Sequence, residues 1–99
     1  MGDADSLIHD RRGAPRWSVD HPLEWRVHAG RRIRRARVVE RSLTGLVMLT
    51  PEDDRPRVGD RVHPADRATA ERRGFRCGEV ARVEDAGAGW SRVIVSILG

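Results

Sequence analysis

Leu23-Glu24-Trp25-Arg26-Val27-His28-Ala29 alternates apolar and polar side chains without a break. Side chains of an extended chain point to opposite faces in turn, so this stretch reads as a strand with one buried and one wetted face. Ala29-Gly30 supplies a turn. Residues 33–42 (IRRARVVERS) follow as a second strand, with Ala36 and Val38 on one face and Arg35, Arg37, Val39 and Arg41 on the other. Leu43-Thr44-Gly45 breaks that run, and residues 46–49 (LVML) form a short, continuously apolar third strand. Residues 51–56 (PEDDRP) are an acidic turn, and Val58 and Val62 mark a fourth strand. Residues 64–73 (PADRATAERR) allow at most one short helix. Residues 75–84 are a fifth strand in which Gly78 marks a bulge, 85–89 (DAGAG) a hairpin turn, and 90–98 a sixth strand with Val93, Val95 and Ile97 on one face. Six short strands joined by glycine turns predict an all-β fold, a small six-stranded antiparallel β-barrel, because closure leaves no bare edge. Leu23, Trp25, Val27, Ala36, Val38, Leu46, Met48, Val93, Val95 and Ile97 are its expected core.

The chain has 99 residues, enough for one domain with one modest core. Residues 1–10 (MGDADSLIHD) read as a flexible leader and 11–98 as the domain. The leader is acidic and has no apolar segment of the kind a secretory signal carries. Nowhere does an apolar run approach the roughly 18 residues of a membrane span. Cys77 is the only cysteine, which excludes an intrachain disulfide framework and a cysteine-based zinc cage. These features together imply a cytoplasmic setting.

All 19 basic residues are Arg, and they are unevenly placed. Residues 1–10 carry a net charge of −3, residues 11–50 a net +7, and residues 51–99 balance. A basic N-terminal half suits an anionic partner. Arginine in particular fits phosphate and guanine, because its planar fork donates paired hydrogen bonds and stacks on π-faces.

Two short patterns stand out in this half. Arg12 and Arg16 form RxxxR within residues 11–17 (RRGAPRW), preceded by Arg11, in a stretch that reads as a loop. Glu40-Arg41-Ser42-Leu43-Thr44-Gly45 forms ExSxxG at the end of the second strand. Their order, their separation and the strands that follow resemble the PilZ domain, over roughly residues 11–98. That family carries RxxxR and then [D/N]xSxxG on a six-stranded barrel that binds the bacterial second messenger cyclic di-GMP. The resemblance implies that Arg11, Arg12 and Arg16 clamp the ligand from the loop. It implies that Glu40, Ser42 and Gly45 form the seat. Arginines can neutralise the two phosphates and stack on the two guanines. A carboxylate can accept from the N1–H and N2–H₂ edge of guanine. Ser42 can bond to a phosphate, a base or the backbone, and Gly45 permits a tight turn and close approach. The chain departs from the family in places. Glu40 stands where Asp or Asn is usual, and Ile94 and Ile97 stand where the last strand often carries Gly and Phe.

On this reading the chain is a receptor or adaptor that relays cyclic di-GMP to a downstream protein partner. Its alternatives are a barrel that has lost the nucleotide and acts as an interaction module, and a small RNA- or DNA-binding barrel. The last is disfavoured because no aromatic lies within the Arg-rich strand, and single-strand binders stack bases on aromatic side chains. No enzyme is expected. His9, His21, His28 and His63 lack metal-ligand spacing, Ser42 and Ser91 lack a nucleophile-elbow pattern, and Gly87-Ala88-Gly89 opens no helix that could cradle a phosphate. Neither a metal nor a cofactor is expected beyond the ligand itself.

Overall fold

The computed structural model describes residues 15–99. Six strands follow in chain order: β1 (Trp17–Val27), β2 (Arg34–Arg41), β3 (Gly45–Pro51), β4 (Arg61–Pro64), β5 (Gly78–Gly87) and β6 (Trp90–Ile97). One helix, α1 (Arg67–Arg73), lies between β4 and β5. Every strand pair is antiparallel, in the order β1-β2-β3-β6-β5-β4, and β4 pairs back onto β1. The sheet therefore closes in a ring. The leader, Arg11 and Arg12 lie outside the described residues.

The interior is filled from all six strands and from the segment after α1. Leu23, Trp25, Ala36, Val38, Leu46, Met48, Val62, Phe75, Val80, Val93 and Val95 form one buried cluster, with Val27 and Ile97 packed half-buried against it. The largest of these, Trp25, has its indole 5.4 Å from the Arg34 guanidinium. Thr50, fully buried on β3, donates from its hydroxyl to the Arg35 carbonyl at 2.6 Å, which removes the cost of burying it.

Several local expectations change in the ring. β1 begins at Trp17 rather than Leu23, since Trp17, Ser18, His21 and Pro22 also pair with β2, across a register shift at Val19 and Asp20. Pro22 is tolerated there because β4 pairs only with Trp25, Arg26 and Val27, leaving β1 one neighbour at Pro22. Val58 belongs to no strand and is exposed, and β4 starts at Arg61. Phe75 and Cys77 precede β5 rather than opening it. The helix is held by sequence-local caps. Asp66 accepts from the Thr69 N–H at 2.8 Å, and Gly74 ends the helix with a positive φ of 75°. The last hairpin turns on Ala88-Gly89 alone, both at positive φ, as a two-residue connection between twisted strands requires.

Gly78 does not mark a bulge. A Cβ there would stand 2.5 Å from Val95 Cγ1 and 2.8 Å from the Ser96 carbonyl oxygen, so glycine permits β5 to lie close on β6. The bulges sit elsewhere. Val38 faces Met48 but Glu40 faces Val47, so β2 carries an extra residue at Val39. Val80 faces Val95 but Arg82 faces Ile94, so β5 carries one at Ala81.

Asp54, in the turn after β3, ties the opposite end of β2. Its carboxylate accepts from the Arg35 N–H at 3.0 Å and from the Arg32 guanidinium. Partial burial alone would raise its pKa, but the Arg35 and Arg32 hydrogen bonds outweigh it and hold the group below the usual carboxylate value. A depressed folded-state pKa contributes stability above the unfolded value, about 3.9, and loses it as pH falls through the lower folded value. Asp54→Asn is therefore expected to melt below wild type at neutral pH, with the gap closing as pH falls below the unfolded value of about 3.9, in calorimetric scans across pH. Gly78→Ala is expected to lose about 1–3 kcal/mol in urea unfolding, the usual penalty for overpacking. Wild-type stability in that variant would mean that β5 and β6 separate freely.

Candidate functional site

An open cleft of about 460 Å³ lies on the outer surface of the ring where β2, β3, β6 and β5 meet. Of the six residues named from the sequence, Arg16, Glu40, Ser42 and Gly45 line it. Arg11 and Arg12 lie outside the described residues. Trp17, the aromatic beside Arg16, is the first residue of β1 and does not line the cleft.

The Val39 bulge builds the near wall. Strict alternation after Ala36 and Val38 would send Glu40 into the core. The extra residue turns Glu40 outward to face Val47, and it turns Arg41 inward to face the core residue Leu46. Glu40 then stands 3.6 Å from Arg16, an ion pair at the mouth of the cleft. Arg41, expected on the outer face with Arg35 and Arg37, instead donates to the Arg73 carbonyl at 2.6 Å and to the Gly74 carbonyl at 3.2 Å. Its guanidinium centre lies 5.6 Å from the Phe75 ring. The charge thus sits on the C-terminal end of α1, where carbonyls are unsatisfied. Burial lowers the Arg41 pKa from its ordinary value, and the group remains a cation at neutral pH.

Ser42 and Gly45 are committed to the turn. The Ser42 hydroxyl accepts from the N–H groups of Thr44 and Gly45 at 3.2 and 3.1 Å. The Ser42 N–H donates to the Gly45 carbonyl at 2.9 Å. Of the three partners open to Ser42, the structure uses the backbone. Gly45 is needed for close approach, since a Cβ there would meet the Val95 carbonyl oxygen at 2.8 Å.

The floor and far wall come from residues that the motifs do not contain. Val47 and Ile94 face each other across β3 and β6 and separate Glu40 on β2 from Arg82 on β5. Arg82 and Arg92 line the cleft, and Glu84 bridges them at 2.8 and 3.1 Å. One signal for the floor is present in the sequence. Residues 46–49 are apolar at every position, so the outer face of β3 is apolar too. Arg82 had no such signal, because its face depends on the bulge.

The Arg-rich strand is less basic than its composition. Arg32 pairs with Asp54 and Arg37 with Asp20, Arg34 donates to the carbonyls of Asp54 and Arg55, and Arg41 caps α1. With those charges engaged, the Arg-rich segment offers a polyanion little beyond Arg31, ahead of β2, and Arg35 on it. Among the described residues there is no cluster of metal-binding side chains and no helix long and apolar enough to cross a membrane.

Ser42→Ala removes the acceptor of two N–H groups beneath the cleft. A loss of about 1–3 kcal/mol is expected in thermal unfolding, the cost of unpaired buried donors. Unchanged stability would show that water replaces the hydroxyl without cost.

Set against known families, the chain matches no family model. Set against curated proteins, it matches none.

Proposed function

We propose that the chain is a cyclic di-GMP receptor domain of the PilZ type that binds the messenger in the cleft beside Glu40 and passes the signal to a protein partner. One observation carries the reading. Arg16 from one motif and Glu40, Ser42 and Gly45 from the other, more than twenty residues away in the chain, line the same cleft. An Arg–carboxylate pair at its mouth suits a guanine nucleotide. Glu40 accepts from the base edge, while Arg16 exchanges its 3.6 Å contact with Glu40 for a phosphate or for stacking on the base. Arg12, on the same motif as Arg16, adds a second cation. Ser42 contributes indirectly, by shaping the turn that carries Gly45. The ligand needs no catalytic group from the protein, so the role is that of a receptor and not an enzyme.

A second reading is favoured by a separate observation. The Ser42 hydroxyl accepts two backbone N–H groups and Glu40 already faces Arg16, so the cleft is internally satisfied. A domain that meets a protein partner without nucleotide accounts for that.

Calorimetric titration with cyclic di-GMP at fixed salt separates the two. Wild type is expected to bind, and Glu40→Asp to bind as well or more tightly. Arg16→Ala and Glu40→Ala are each expected to loosen binding about tenfold or more, as the loss of about 1.4 kcal/mol implies. A charge-assisted hydrogen bond contributes about 1.5–3 kcal/mol, which sets that scale. Absence of binding by wild type would favour the interaction module. Wild-type affinity in Glu40→Ala would remove Glu40 from the seat.

A further inference from the structure

Arg82 owes its position to a single extra residue. Val80 points into the core, and alternation would carry Arg82 inward after it. The Ala81 bulge reverses this. Arg82 faces Ile94 on the outer side, and Val83 takes the inward place opposite Val93. The Val39 bulge does the same for Glu40 on the other side of the cleft. Glu40, Val47, Ile94 and Arg82 consequently form one row across β2, β3, β6 and β5. The row has a carboxylate at one end, a guanidinium at the other, and two apolar side chains between them. At about 4.8 Å per strand, its ends are roughly 14 Å apart along the backbone.

The guanidinium end is also preorganised. Glu84 lies 2.8 Å from Arg82 Nε as an ion pair and accepts from Arg92 Nη1 at 3.1 Å, so one carboxylate faces two cations at the cleft wall. Among the described residues neither terminal nitrogen of Arg82 donates a hydrogen bond, so both can serve a ligand. Arg82 is 68% exposed, so the pair has little worth for stability. The bulge spares the core a buried charge, and it leaves that charge on the wall of an open cleft.

We infer that Arg82 is a ligand-contacting residue that binds the second anionic group of the ligand, with Glu84 and Arg92 as the residues that position it. This rests on the reading of the cleft as a cyclic dinucleotide site. A cyclic dinucleotide carries two phosphates on opposite sides of its ring. Arg16 stands at the Glu40 end of the row and Arg82 at the other, so each phosphate meets its own cation while the Val47–Ile94 floor supports the apolar face of a base. A ligand with one phosphate engages one end only.

The test compares Arg82→Ala with wild type, Arg16→Ala and Arg57→Ala by calorimetric titration with cyclic di-GMP at one salt concentration. Arg57 is exposed and outside the cleft, so its variant controls for lost net charge. Arg82→Ala is expected to weaken binding about tenfold or more, Arg82→Lys to recover part of the loss, and Arg57→Ala to stay within about twofold of wild type. Circular dichroism of Arg82→Ala is expected to match wild type. If wild type and Arg82→Ala bind equally while Arg16→Ala is weakened, the inference fails and the reading of the cleft stands. Equal losses in Arg82→Ala and Arg57→Ala also overturn it, since net charge alone would account for them. If wild type does not bind, the reading itself fails, and the inference with it.

Discussion

In a sheet closed in a ring, each side chain has two destinations, the core or the outer surface, and consecutive residues alternate between them. One inserted residue reverses every assignment that follows it. The candidate site depends on two such reversals. At Val39, the insertion brings Glu40 out and sends Arg41 in. At Ala81, it brings Arg82 out and returns Val83 to the core. Without them Glu40 and Arg82 would be unpaired charges in an interior of Leu, Val and Met, at a cost that folding could not sustain.

The inward turn of Arg41 links the site to the rest of the molecule. Its guanidinium lies on Phe75 and donates to the last carbonyls of α1, while its neighbour Ser42 holds the turn that leads into β3. The end of β2 is therefore joined to the helix through one side chain. A ligand that pulled on Glu40 would act on the strand that carries Arg41.

Arginine has several roles here that composition cannot separate. Arg32 neutralises Asp54, Arg37 neutralises Asp20, and Arg34 lies over Trp25 while donating to two carbonyls. These groups serve the fold. Arg16, Arg82 and Arg92 line the cleft, where each has a carboxylate within reach but remains substantially exposed. A basic strand in the sequence is in large part a cross-linked surface in the fold.

The sequence by itself determined the period-two strands, the order of the turns, and the core positions Leu23, Trp25, Ala36, Val38, Leu46, Met48, Val93 and Val95. Each of these follows from local alternation and from turn chemistry, which act over a few residues. The family resemblance carried the expectation that Arg16, Glu40, Ser42 and Gly45 lie together, and the fold places all four at one cleft. Tertiary structure decided what alternation could not reach. The Val39 and Ala81 bulges appear only when each strand is laid against its neighbour, because an extra residue is extra only relative to a partner. Hence Arg41 was assigned to the wrong face, Arg82 carried no signal, and Gly78 was misread as a bulge when its small size serves the approach of β5 to β6. The extension of β1 back to Trp17 has the same origin, since residues 17–22 lack a clean period and become strand only because β2 pairs with Trp17, Ser18, His21 and Pro22.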